Sequence, residues 1–138
     1  MASTEVMLVW TGRVTLERWL EPTDEGDRIE MNIAGDLVGH GPLEGFRGYG
    51  VATYESILRP DGTRRGTGGA IVRGEKGEVV TVHGEGRARV VDGKIEYRTV
   101  HTFGSRTPGL EWLNATVGVS EYEQDENGDF VFTISRWV

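Results

Sequence analysis

Apolar and polar residues alternate with a period of two along nearly the whole chain. From Val6 the even positions read Val6, Leu8, Trp10, Gly12, Val14 and Leu16, with mixed residues between them. Ile29, Met31, Ile33 and Leu37 alternate with Arg28, Glu30, Asn32 and Asp36. This is the spacing of strands buried on one face. No segment sustains an i, i+3, i+4 pattern, so almost no helix is expected.

Turn chemistry divides the strands. Pro22-Thr23-Asp24-Glu25-Gly26-Asp27 separates the first two. Pro60-Asp61-Gly62, Glu75-Lys76-Gly77 and Glu126-Asn127-Gly128 each place glycine third, as a three-residue hairpin requires. Asp92-Gly93 fits a two-residue type I′ turn. The strands fall at roughly 5–20, 28–38, 48–59, 63–73, 78–90, 94–103, 114–124 and 129–137. Eight strands joined mostly by hairpins predict one all-β domain over 1–138, an antiparallel up-and-down barrel. Closure removes the sheet edges and leaves room for one small ligand. An open sandwich is the alternative. Two Gly-rich crossings, 39–48 and 104–112, carry Phe46 and Trp112. Those two rings either close a mouth or simply pack ordinary crossings.

Hairpin register turns the sequence into an inward-facing set. A two-residue turn at Asp92-Gly93 pairs Ala88 with Tyr97, Gly86 with Thr99, Gly84 with His101 and Val82 with Phe103. The other face carries Glu85, Arg87, Arg89, Glu96 and Arg98, which require water. The other hairpins place Tyr54 across from Gly68 and put Phe130 and Phe132 on one face with Tyr122, Ser120 and Gly118. Aromatics facing glycines in three hairpins point to an aromatic-lined cavity. Strand coiling and tight curvature would also call for those glycines. If Val91-Asp92-Gly93 instead formed a three-residue turn, His83 and Glu85 would join Tyr97 and His101 in the lumen.

Glycine is the compositional outlier, 21 of 138 residues, roughly twice the usual share. There is no Gly-X-Y period and there are only 4 prolines, which excludes collagen and low-complexity linkers. The absence of cysteine excludes disulfides, thiolate nucleophiles and Cys-based metal sites. A net charge of -7 argues against nucleic acid and anionic membranes as partners. The N-terminus has no basic region followed by an apolar one, so a cytoplasmic protein is the expectation. Asn114-Ala115-Thr116 matches a glycosylation sequon, which matters only in a secretory context.

The three histidines, His40, His83 and His101, lack the spacing of a metal site, and no metal is expected. Gly66-Thr67-Gly68-Gly69 does not lie between a strand and a helix, so it is no phosphate loop. No nucleophile elbow is present. Acid–base chemistry remains: an inward His101 near Tyr97 and Tyr54 can exchange a proton in a dry lumen. The alternative is a core histidine satisfied by a hydroxyl or the backbone. Arg64 and Arg65 read as solvated strand-end charges, one of them placed to clamp a carboxylate at the rim.

Tyr97-Arg98-Thr99, Phe103 and Trp112-Leu113-Asn114 resemble a stretch of small bacterial calycin-like β-barrel proteins of unknown function. The likeness covers about the last third of the chain, with weaker support from Arg59-Pro60-Asp61-Gly62-Thr63. It implies an eight-stranded barrel with a central pocket and brings no reaction. In size and layout the chain is also similar to small barrel cyclases that work without a cofactor, although no cyclase motif carries over.

The expected function is binding of a small hydrophobic or aromatic molecule in the lumen. The first reading is a cofactor-independent cyclase or isomerase. His101 and Tyr97 would be catalytic, and Tyr54, Phe103, Trp112, Tyr122, Phe130, Phe132 and Phe46 would shape the ligand site. A non-catalytic carrier or sensor is the alternative. Outward Val117, Val119 and Val131 offer a surface for a homodimer.

Overall fold

The computed structural model describes residues 3–138 and shows a closed eight-stranded antiparallel barrel. The strands are β1 (Thr4–Trp19), β2 (Asp27–Gly39), β3 (Arg47–Leu58), β4 (Arg64–Gly74), β5 (Val79–Val91), β6 (Lys94–Gly104), β7 (Val117–Gln124) and β8 (Asp129–Trp137). Each pairs with the next, and β8 returns to β1. Two short 3-10 turns, Gly41–Leu43 and Glu111–Ala115, sit in the two crossings. The up-and-down order puts both crossings, the turn at Glu75–Glu78 and both ends of the barrel sheet on one side. We call this the terminal end and the opposite side the turn end.

The β5–β6 turn adopts the two-residue form. Asp92 and Gly93 both have positive φ, 52° and 79°, as a type I′ turn demands. The resulting register pairs Gly84 with His101 and Gly86 with Thr99. The three-residue alternative is therefore excluded. His83 and Glu85 point outward and are exposed.

Two expectations need correction. Val6 and Leu16 do not share the inward face of Leu8–Val14. A register shift lies at each end of that segment, between Val6 and Leu8 against β8 and between Val14 and Leu16 against β2. An extra residue in one strand flips the alternation that follows it. Met7 is consequently fully buried, while Val6 and Leu16 are exposed. The strand expected from residue 114 begins only at Val117, because Asn114 and Ala115 complete a 3-10 turn.

The terminal end is plugged. Met7, Leu8, Leu43, Phe46 and Leu113 are buried there in one apolar cluster. The Trp112-Leu113-Asn114 stretch is part of this plug. The Arg136 guanidinium lies 5.3 Å from the centre of the Trp112 ring and pairs with Glu5 at 2.8 Å. The Asn114 amide clamps the crossing by accepting from Ser105 N at 2.8 Å and donating to Ser105 O at 2.9 Å.

Candidate functional site

The barrel interior is not completely filled. A cavity of about 80 Å³ lies in mid-lumen, walled largely by apolar atoms. One water needs roughly 10–15 Å³ on this kind of measure, so the space exceeds one or two waters. β4 forms its thinnest wall, where Gly66, Thr67, Gly68, Gly69 and Ala70 all border the cavity and none carries a large side chain.

The inward glycines do not simply leave space. A Cβ at Gly66 would lie 2.8 Å from Tyr97 Cε1, and one at Gly84 would lie 2.5 Å from His101 Cδ2. At Gly68 it would collide with Tyr54 Cβ, and at Gly118 it would meet Phe103 Cζ at 2.8 Å. The aromatic rings lie down over the glycines, and the cavity is what remains between the rings. Covering a strand glycine with a cross-strand ring is a known means of stabilising sheets that must curve.

Tyr54, Tyr97 and Tyr122 form a layer on the turn-end side, with ring centres 6.0–6.3 Å apart and edges toward faces. Each hydroxyl has a hydrogen-bond partner. Tyr122 donates to Gln124 Oε1 at 2.7 Å, and Tyr54 donates to Met31 Sδ at 2.9 Å. Tyr97 is hydrogen-bonded to the fully buried Ser56. Burial pushes the Tyr54 phenol well above the ordinary range, and Tyr122 beside it adds to the effect. Burial also raises Tyr122 and Tyr97, the latter opposed by its bond to Ser56. All three phenols are therefore neutral hydrogen-bond donors near pH 7.

His101 borders the cavity beside this layer and is only 4% exposed. Its Nε2 lies 3.3 Å from Ser120 Oγ, and its Nδ1 has no partner. Burial pushes the imidazole down to about 4, with the charge of His83 outside the wall adding a smaller push. A neutral imidazole has one N–H and one lone pair, so His101 can donate at one nitrogen and accept at the other. Trp10 borders the same cavity, and its buried Nε1 is likewise without a partner. The Phe132 ring contacts both, stacked on Trp10 at 5.9 Å and edge-on to His101 at 5.3 Å.

The residues singled out from sequence fall into two groups. Tyr54, Tyr97, His101, Tyr122 and Phe132 border the cavity. Phe103, Phe130, Phe46 and Trp112 do not. Phe130 stacks on Tyr122 at 5.4 Å, Phe103 lies over Gly118, and Phe46 and Trp112 belong to the terminal plug. Sequence reasoning passed over Trp10, Ser56 and Gln124 as site residues. Alternation alone places Trp10 inward, and an inward polar residue such as Gln124 is a signal in itself. Among the described residues no cluster of three or more metal-ligating side chains is present. Among the described residues no helix is long and apolar enough to cross a membrane.

No family model matches the chain, and no curated protein matches its sequence. Solved structures do match. A protein of unknown function from Clostridium acetobutylicum superposes with a TM-score of 0.87 at 19% identity, over 100% of this chain and 98% of that one. A conserved protein of unknown function from Rhodopseudomonas palustris gives 0.86 at 19% identity, over 100% and 99%. An enzyme from Penicillium herquei gives 0.68 at 14% identity, over 96% and 94%. At these identities the likeness is one of fold, and the chain shares its barrel with small proteins of unknown function and with one enzyme.

Proposed function

We propose that the lumen binds a small hydrophobic or aromatic molecule and that the protein is a cofactor-independent cyclase or isomerase. One observation carries the reading: His101 Nδ1 is buried without a partner in the wall of an otherwise apolar cavity. An unpaired buried polar atom costs about 1–3 kcal/mol, and a ligand atom that pairs with it recovers that cost. His101 moves the proton, Ser120 holds its second nitrogen, and Trp10 offers an N–H to a ligand oxygen. Tyr97 donates from the tyrosine layer. The surrounding rings exclude water and restrict the ligand to a reactive shape. The layout analogy to small barrel cyclases supports this, as does the Penicillium herquei enzyme on the same fold. The apolar character of most of the wall favours the second reading, a carrier or sensor.

Cyclisation and isomerisation leave the mass of the compound unchanged. The protein is incubated with a panel of small unsaturated aromatic ketones and phenols, followed by chromatography and mass spectrometry. The expected result is conversion of one compound to a product of equal mass and different retention. His101→Ala and Tyr97→Phe should lower that conversion far more than they lower binding. Compounds that bind and return unchanged support carriage instead.

A further inference from the structure

Arg64 is the first residue of β4, in register with Leu58 on β3 and Ala88 on β5. Its side chain belongs to the inward face, one position beyond Gly66. That glycine is covered by Tyr97, whose hydroxyl would lie 3.1 Å from a Cβ there. Burial raises the Tyr54 and Tyr97 phenols, and the Arg64 charge holds both back. Arg64 therefore stands against the tyrosine layer on its turn-end side.

Among the described residues the Arg64 guanidinium takes part in none of the ion pairs. Its Nε is shut off from solvent and has no hydrogen-bond partner. The contrast with its neighbour is direct: Arg65, facing outward, is gripped by both oxygens of Glu25 at 3.0 and 3.1 Å. Arg59 also has an unpartnered Nε, but its charge is felt by Glu25 and Asp61 on the solvent side of the turn. Arg64 is half-buried, and its buried Nε is an unpaired donor that a ligand oxygen can satisfy.

Cavity size points the same way. An apolar cavity of about 150 Å³ takes a benzene ring, and this one is about 80 Å³. A ring-sized ligand must extend past it. Along the barrel axis the terminal end is plugged, so an extension runs toward the turn end, where Arg64 lies outside the cavity lining on the far side of the tyrosine layer.

We infer that the lumen ligand is a small aromatic or unsaturated carboxylic acid, its apolar body among the rings and its carboxylate on Arg64. Guanidinium and carboxylate match as a two-bonded pair, which gives orientation as well as affinity. The inference rests on the lumen being a ligand site, and it adds the ligand's chemical class.

Calorimetric titration at pH 7 with 4-hydroxybenzoate and with 4-hydroxybenzamide separates the two ideas. The acid should bind at least about tenfold more tightly than the amide. Arg64→Gln should abolish that preference and leave amide affinity within about twofold. Arg64→Lys should keep part of the preference, and Arg65→Gln all of it. A thermal melt of each variant checks that it is folded. Equal binding of acid and amide by the wild type, or a preference that survives Arg64→Gln, overturns the carboxylate inference while the lumen reading stands. Failure of both probes to bind at millimolar concentration removes the lumen reading, and this inference with it.

Discussion

Gly84 faces His101 directly across the β5–β6 ladder, and the imidazole lies where a Gly84 side chain would begin. The same relationship links Gly68 to Tyr54 across β3–β4. The ring position and the missing side chain are one feature, because a Cβ at either glycine would collide with the side chain that covers it.

Two adjacent glycines on β4 test this. A Cβ at Gly68 collides with Tyr54 and with the Thr53 carbonyl, whereas one at Gly69 meets nothing closer than 3.5 Å. Gly68→Ala should destabilise by about 1–3 kcal/mol through overpacking. Gly69→Ala should be neutral, or stabilising by about 0.5–1 kcal/mol, because alanine loses less chain entropy on folding. Denaturant melts of both variants read the difference. Equal costs would mean that the rings do not hold the glycines' positions.

His101 gives the fold a defined pH dependence. Its folded value is about 4, against roughly 6.5 in an unfolded chain. Between these values the unfolded state binds more protons, so stability falls as the pH drops through that window. The contribution is about 3 kcal/mol, fully present above pH 6.5 and lost by pH 4. Urea titrations from pH 7.5 to pH 4 should show a steeper decline for the wild type than for His101→Gln. Parallel declines would place the imidazole in contact with water.

Gln124 Oε1 accepts from Tyr122 at 2.7 Å and lies 3.4 Å from the Tyr54 hydroxyl. Gln124→Leu should cost about 1–3 kcal/mol by stranding the Tyr122 hydroxyl. Adding Tyr122→Phe should cost less than it does alone, since the stranded group is then gone. A double-mutant cycle measures the coupling, expected at roughly 0.5 kcal/mol or more. Simple additivity would show that the two side chains act independently.

The barrel and most of its register were legible because the turns count residues. Asp92-Gly93 alone sets which side of β5 and β6 faces inward, and hence that His101 does and His83 does not. The shifts flanking Leu8–Val14 were not legible, because a bulge leaves no mark in an alternation that continues in apolar residues. Val6 and Leu16 therefore face outward although the alternation places them inward. The inward glycines were legible as glycines. Their covering by rings was not, because it depends on side-chain direction between strands. Phe46 and Trp112 stood out as isolated aromatics in Gly-rich crossings. Only the closed geometry shows that these crossings plug the end opposite Arg64.

The proposed function requires a small aromatic molecule in the mid-lumen cavity that Trp10, Phe132 and His101 border. The most direct measurement is titration of ¹⁵N-labelled protein with phenol, followed through the Trp10 indole N–H and the His101 ring nitrogens. Saturable shifts are expected at both side chains, with a Trp10 signal displaced in the direction of a newly formed hydrogen bond. Shifts confined to outward residues such as Val51 and Ile71, with Trp10 and His101 unmoved, would contradict that occupancy.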